Sequence, residues 1–321
     1  MSLRFRHAAI LSLLLSCHSW AGPGATQPSA AQPGAAQPGA AQPTEASQHC
    51  QQTSPECREV GRWEFSVAIG AGARSNPLVE GDAQPLVLVP QFSWYGERLF
   101  VDNFELGFTL LDRPRHMLNL LLTPGFDKFF FDDGLGFGNF ILEDSSLVSG
   151  GGDHAGAPDG EVVPTQRAQQ VDPKKVDERR LAMMAGLEYG LYIKQWLLSA
   201  QILGDAIGVH NGKELRLALG WQGQLGDNTL SASVGAVWQN RQLLDYYYGL
   251  DRHEVNNEEL LFRGESDWSP MVKFQWRRQL SESWSFYSTL HYKRFGTHTA
   301  DSPLLEDDYV VTAFIGGIYH F

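Results

Sequence analysis

The closing stretch Tyr309 to Phe321, YVVTAFIGGIYHF, constrains the fold more than any other. Successive side chains of a strand point to opposite faces. Tyr309, Val311, Ala313, Ile315, Gly317, Tyr319 and Phe321 therefore share one face, and none carries a charge. Tyr309 and Tyr319 stand at its two ends. Between them the strand runs ~34 Å at ~3.4 Å per residue. A tilt of ~40° lowers that to roughly 26 Å, close to the ~25 Å apolar band between the aromatic girdles of a membrane barrel. The opposite face mixes Thr312 and His320 with Val310, Phe314 and Ile318. The last strand of a soluble sandwich is the alternative this stretch leaves open.

The same period of two returns along the chain. Trp63, Phe65, Val67, Ile69, Ala71 and Ala73 alternate with Glu64, Ser66, Ala68, Gly70, Gly72 and Arg74. Pro85 to Tyr95, Arg98 to Leu111 and Met117 to Phe131 follow as strands. Leu181 to Ile193 and Gln195 to Ile207 form a pair with a very short connection. Leu215, Leu217, Leu219 and Trp221 face away from Glu214, Arg216, Gln222 and Gln224. Gly226-Asp227-Asn228 then turns the chain into Leu230 to Trp238, which is hairpin chemistry. Asp267 to Leu280 and Trp284 to Phe295 flank Ser281-Glu282-Ser283. Short turns alternate with longer loops at 240–265 and 297–307, as in an up-and-down barrel.

Eleven strands emerge, whereas single-chain bacterial barrels have even numbers. A break of Arg98 to Leu111 at Asp102-Asn103, or a strand hidden in Leu135 to Val148, supplies the twelfth. The expectation is an all-β, antiparallel up-and-down transmembrane β-barrel of 12 strands, with 10 or 14 as alternatives. Residues 132–178, rich in Gly, Asp, Ser and Pro, form a long loop placed outside the cell. Its acidic first part suits a solvated loop, with cation or lipopolysaccharide bridging as the rival role.

The net charge of −12 with no basic run argues against nucleic acid as a partner. After residue 20 no apolar run is long enough for a transmembrane helix. A barrel hides its lipid face by alternation instead. Residues 1–21 have the basic start, apolar core and Ser19-Trp20-Ala21 site of a signal peptide. Leu14-Leu15-Ser16-Cys17 offers a lipobox as the rival reading. Residues 22–61 are a Gln/Pro/Ala-rich periplasmic tether, with Gln-Pro recurring at 27, 32, 37 and 42. Too little apolar surface lies there to offset the entropy of ordering. The tether ends in Cys50 and Cys57, an even pair expected to close a small disulfide loop in an oxidising compartment. Residues 62–321 make the barrel.

The sequence contains no HExxH, GxSxG or P-loop motif. His291 and His298 lie near Ser302 in sequence, but a turn separates them and proline follows the serine. Asp301-Ser302-Pro303 fits a loop that positions the last hairpin by Asx-type bonding and a fixed proline φ. Gly134-x-Gly136-x-Gly138 fits loop flexibility better than phosphate binding. No catalytic, cofactor-binding or metal residue is assigned.

Several segments together resemble the MipA/OmpV family, the MltA-interacting outer-membrane proteins. They are the glycine-rich first strand followed by Glu80-Gly81-Asp82, and Pro90-Gln91-Phe92-Ser93-Trp94-Tyr95 leading into Arg98-Leu99-Phe100. Tyr247-Tyr248-Gly249-Leu250 and Ala300-Asp301-Ser302-Pro303-Leu304 complete the set. The resemblance covers roughly residues 62–321; the tether, the cysteine pair and the long loop depart from it. It implies residence in the bacterial outer membrane, among its lipid and lipopolysaccharide. A terminal aromatic such as Phe321, with Tyr319, resembles the signal read by the barrel-assembly machinery. The resemblance also implies a non-enzymatic scaffold that docks a lytic transglycosylase and a murein synthase on its periplasmic side. A small porin and an outer-membrane lipid hydrolase are the alternatives.

Overall fold

The structure, a computed structural model, describes residues 60–131 and 171–321. The signal peptide, the tether with Cys50 and Cys57, and most of the 132–178 loop lie outside these residues. Twelve strands follow one another: β1 (Trp63–Arg74), β2 (Gln84–Tyr95), β3 (Leu99–Asp102), β4 (Glu105–Arg113), β5 (His116–Pro124) and β6 (Met183–Ile193). Then come β7 (Trp196–Asp205), β8 (Lys213–Leu225), β9 (Asn228–Gln239), β10 (Asp267–Gln279), β11 (Trp284–Arg294) and β12 (Tyr309–His320). Each pairs antiparallel with its sequence neighbours, and β1 pairs with β12 to close the barrel.

The twelfth strand comes from the break at Asp102-Asn103, one of the two sources expected. Asp102 pairs with Glu105 around a tight turn, and Asn103 takes the left-handed conformation at φ 50°. Its side chain offsets that cost. Asn103 Oδ1 accepts from Phe92 N at 3.1 Å, while Asn103 N donates to Phe92 O at 2.8 Å.

Strand alternation sets the two faces of the wall. On β12, Val310, Thr312, Phe314 and Ile318 are buried inward, while Ile315 is 56% exposed. Ile202, Val234 and Leu290 are likewise at least half exposed on the outside. Such a belt is a liability in water and an asset in hydrocarbon. Trp63 lies near Trp94, Trp284 near Tyr319, and Trp196 opposite Trp221, forming a girdle at one rim. Trp238 opposite Trp268, with Tyr292 stacked on Tyr309, marks the other.

Both barrel ends, Trp63 and Phe321, lie at the rim that carries the short turns 96–98, 114–115, 194–195, 226–227 and 280–283. The connections 75–83, 125–182, 206–212, 240–266 and 295–308 all lie at the opposite rim.

One expected strand is too long. Met117 to Phe131 does not run through as a single strand: β5 stops at Pro124, and Phe126–Phe131 winds into a 3-10 turn. Proline supplies no N–H to a ladder, and Gly125 lets the chain swing away. Gly125 N then donates to Ala182 O at 2.8 Å, and Phe126, Phe129 and Phe130 are buried.

At the long-loop rim the connections pack into one apolar cap. Leu78, Phe130, Val171, Leu260, Phe295, Leu304 and Leu305 cluster around Leu243, Leu244, Tyr247 and Tyr248. Inward residues Leu121, Met184, Leu203 and Val310 of the strands meet the cap from below.

Candidate functional site in the outer cap

The cap is organised by a helix, Arg241–Tyr248. Asn240 caps its start, its side chain accepting from Leu243 N at 3.3 Å, as N-cap residues do. The helix ends at Gly249, whose N–H donates to Asp245 O at 2.9 Å. A Cβ at Gly249 would lie 2.2 Å from that same oxygen, so only glycine fits. One side buries Leu243, Leu244, Tyr247 and Tyr248; Gln242 and Arg241 stay exposed.

Beneath the helix a chain of polar contacts runs from the cap into the lumen. Ser302 Oγ donates to Tyr248 O at 2.6 Å, and Tyr248 Oη donates to Asp127 Oδ1 at 2.7 Å. Gln239 Nε2 donates to Asp127 Oδ2 at 2.7 Å and to Glu214 Oε2 at 3.1 Å. Arg216 Nε pairs with Glu214, and its Nη1 donates to Gln201 Oε1 at 3.3 Å. Gln201 and Asn119 both donate to Glu188, each at 2.9 Å. Arg216 also lies over the ring of Phe126, 5.3 Å from its centroid. Buried charges are costly unless paired and hydrogen-bonded. Here the acids are interleaved with arginine and amides, so the network ties strands β5 to β9 to the cap. Burial first, then the Asp127 charge, raises the Tyr248 hydroxyl well above its ordinary value, which keeps it a donor.

Above the network lies a surface cavity of about 470 Å3, lined among others by Asp177, Arg179, His210, Tyr246, Glu254 and Arg263. Its charges are largely paired. Arg179 bridges Glu254 at 2.9 Å, and Arg263 bridges Asp251 at 2.6 Å. His253 Nε2 meets Asp177 Oδ2 at 2.8 Å. That hydrogen bond lowers the Asp177 pKa and raises that of His253. His210 Nδ1 accepts from Gly212 N at 2.8 Å, and burial pushes its pKa down.

Asp177, His253 and Glu254 have the donor types of a metal site, with ligand atoms within 4.8 Å of one another. Glu254 is nevertheless committed elsewhere. One oxygen binds Arg179 and Asp177 N, and the other accepts from Asp251 N at 2.8 Å. The group is a closed hydrogen-bonded knot, and an adjacent guanidinium repels a cation.

Three of the family-like segments converge on the cap. Gly81 packs on the side chain of Asn76, which donates to Phe130 O at 2.9 Å. Val79 N donates to Leu304 O at 3.0 Å, next to buried Ser302 and Pro303. Gly249 follows Tyr248, whose carbonyl receives the Ser302 hydroxyl. Asp82 and Asp301 are exposed. The turn contact in Asp301-Ser302-Pro303 is made by serine, whose Oγ accepts from Leu304 N at 3.3 Å. Pro90 lies in β2 opposite Val67, and Tyr95 Oη donates to Asp102 Oδ2 at 2.5 Å. Tyr319 and Phe321 sit at the short-turn rim, rings 4.9 Å apart.

Ser302 has neither histidine beside it in its hydrogen bonds. His291 is buried in the lumen, and His298 pairs loosely with Glu265 at 3.9 Å. A different pair, Ser285 Oγ and His320 Nε2, meets at 3.0 Å. Ser285 is wholly buried, so a substrate carbonyl has no approach to it.

Sequence reasoning sets Glu214, Arg216 and Gln222 on the face away from the leucines of β8 but misses Asp127 and Glu188. The signal for Glu188 is a lone charge between Leu187 and Tyr189 in an apolar strand. Asp127 carries no such mark, because it stands beside Lys128 in a short segment whose other four residues are phenylalanines.

A closed antiparallel barrel with an apolar belt, two aromatic girdles and a charged lumen is an outer-membrane β-barrel. Solved structures of similar architecture include the NanC porin and an anion-selective porin from Comamonas acidovorans. The first is 7% identical with a TM-score of 0.38, covering 80% of this chain and 99% of its own. The second is 8% identical with a TM-score of 0.32, covering 81% and 99%. The family model for the MltA-interacting protein MipA matches residues 69–321, and the chain belongs to that family. The MltA-interacting protein of Escherichia coli is 28% identical over 149 residues, spanning 46% of this chain and 60% of that protein. The outer membrane protein YiaT of Escherichia coli is 20% identical over 259 residues, covering 80% and 91%. The chain resides in the outer membrane; barrels of this class set their short turns in the periplasm and their long connections outside.

Proposed function

We propose that the protein is a non-enzymatic scaffold of the outer membrane. It holds a lytic transglycosylase, and with it a murein synthase, at its periplasmic rim. The observation that carries this reading is the cap. Among the described residues, apolar side chains including Leu78, Phe130, Val171, Leu260 and Leu304 pack together over the outer mouth, which favours a plugged barrel over an open channel. The accessible face on the cell side is then the short-turn rim. It exposes Arg98, Arg113, Arg115, Lys194 and Arg278 together with Glu97, Asp112, Asp227 and Glu282, a rim of mixed charge. The name of the Escherichia coli relative supplies the partner class.

The second reading, a small porin, draws on the charged lumen around Glu214, Arg216 and Lys293. A hydrolase is the weakest of the three, because Ser302 spends its hydroxyl on a backbone carbonyl.

Two measurements test the proposal. Purified barrel, immobilised by its outer face, is presented to periplasmic extract, and retention of a lytic transglycosylase is the expected outcome. Planar-bilayer recording is expected to show no steady unitary current. Retention of no murein enzyme, together with steady currents, replaces the scaffold with the porin.

A further inference from the structure

The surface cavity of the cap has hydrogen-bonding capacity that its own contacts leave unused. It lies at the rim of the long connections, which barrels of this class set outside the cell. Three of those connections line it, 125–182, 206–212 and 240–266. Its volume, about 470 Å3, falls in the ~300–1,000 Å3 range of small-molecule sites.

Each polar side chain is held at one atom and keeps another in reserve among the described residues. Asp177 Oδ2 meets His253 Nε2 at 2.8 Å, and Oδ1 has no partner. Asp251 Oδ1 accepts from Arg263 Nη2 at 2.6 Å, and Oδ2 has none. Gln242 Oε1 accepts from Asn240 at 2.7 Å, which leaves its amide as a donor. Arg263 spends Nη1 and Nη2 on Asp245 and Asp251 and keeps Nε. The side chains of Asp177 and Arg263 are 62% and 61% exposed, so a ligand reaches them from solvent. Deeper in the lining, Arg179 binds Glu254 and Gly249 O, and its Nε is buried without an acceptor. Buried polar groups are nearly always satisfied.

The charges of the lining select against simple ions. Asp177, Asp245, Asp251 and Glu254 oppose an anion, and Arg179 and Arg263 oppose a cation. The reserve atoms are of both kinds: donors on Gln242, Arg263 and Arg179, acceptors on Asp177 and Asp251. A hydroxyl donates and accepts at once. A ligand with several neighbouring hydroxyls therefore satisfies this lining without bringing a charge into it. Tyr246 adds an apolar surface. Its ring is half-buried in the lining and fixed: Oη accepts from Arg180 N at 2.8 Å, and the ring sits edge-on to Tyr247 at 5.0 Å. Hydroxyls at the edge and an apolar C–H face are the two halves of a pyranose. Because the side chains are already held, little rotamer freedom is lost on binding.

We propose that the cavity binds a neutral hexopyranose unit of a glycan outside the cell. The sugar ring lies against Tyr246, and its hydroxyls bridge Arg263 and Gln242 to Asp251 and Asp177. The site is at the rim opposite the proposed docking face, so its failure leaves the scaffold reading as it is.

The test is saturation-transfer NMR on the full chain in lipid nanodiscs. Methyl glucoside, galactoside and mannoside are each compared with their uronate and 2-amino-2-deoxy analogues. At least one neutral pyranoside is expected to receive saturation and to bind about tenfold tighter than either charged analogue. Arg263→Ala should weaken it about tenfold, the worth of one hydrogen bond to a charged group. Arg252→Ala, which removes an 81% exposed side chain outside the lining, should leave it unchanged. Both substitutions are at exposed positions, and heat-modifiable gel mobility checks that the barrel is folded. Saturation of no neutral sugar, or saturation that Arg263→Ala does not weaken, overturns the site. Tighter binding of a uronate or an amino sugar overturns the neutral ligand. Lipopolysaccharide added to the nanodisc separates the two sources of such a sugar. Loss of the pyranoside signal assigns the site to the membrane's own sugar chains, and an unchanged signal assigns it to a free glycan.

Discussion

Gly70 and Gly316 face each other across the seam where β1 meets β12, and the ring of Phe314 lies over both. A Cβ on Gly316 would sit 2.4 Å from Ile69 O and 2.7 Å from Gly70 Cα. An aromatic ring covering a glycine pair fills the space that two side chains would otherwise occupy. Gly316→Val is expected to cost about 1–3 kcal/mol or more, the usual range for overpacking. Urea unfolding of the detergent-solubilised barrel measures it. Adding Phe314→Ala should not rescue the variant, because the nearest conflict is with backbone.

Tyr248→Phe removes the donor to Asp127 and leaves a buried carboxylate oxygen without it. The expected loss is about 1.5–3 kcal/mol, the range for a hydrogen bond to a charged group. It appears as a lower temperature for the shift from folded to unfolded mobility on a denaturing gel. An unchanged transition would show that Gln239 alone satisfies Asp127.

The Asp177–His253 pair predicts a pH window for the cap surface. The His253 pKa is raised above 6.5, so its contribution is fully present below that value and is lost as pH rises through the folded pKa. The Asp177 pKa is lowered below 3.8, so its contribution is present above that value and is lost as pH falls through the folded pKa. The attraction is therefore complete between 3.8 and 6.5. Asp177→Asn should move the His253 titration downward, read by NMR of selectively labelled histidine. Because both side chains are exposed, little change in global stability is expected.

Phe321 N donates to Phe65 O at 3.0 Å, and the ring packs edge-on against Tyr319. Deleting Phe321 removes one rim bond and the terminal aromatic together. The expected result is less folded barrel in the outer membrane, with normal amounts of exported chain. Equal levels of heat-modifiable protein would show that assembly does not depend on it.

The wall is legible in the sequence because its information is local. Alternation in β8, β9 and β11 and the turn at Gly226-Asp227 can each be read within a dozen or so residues, close to a strand's length. Even the short β3–β4 hairpin shows itself at Asp102-Asn103, since asparagine tolerates the left-handed turn. The cap is not legible, because its contacts join residues far apart. Nothing near Asp127 announces Tyr248, and nothing near Tyr248 announces Ser302. The eight-residue helix Arg241–Tyr248 is too short to impose a clear period on its surroundings. Phe126–Phe131 misleads for a related reason: its phenylalanines, at 126 and 129 to 131, follow no clear period, and only Pro124-Gly125 marks where the strand must stop. Cys50, Cys57 and the tether remain expectations, outside the described residues.

Every long connection lies on the side of the membrane away from both Trp63 and Phe321. A chain delivered from the periplasm must therefore pass the whole cap across the hydrocarbon before the wall is finished. Asp177, Arg179, Glu254 and Arg263 cannot cross bare lipid at tolerable cost. They need a polar passage, and the unfinished barrel provides one while β1 and β12 are still apart. The glycine seam is thus a clasp that must fasten late. A substitution that made β1 and β12 pair early would strand the outer loops on the wrong side, even if the finished barrel were more stable.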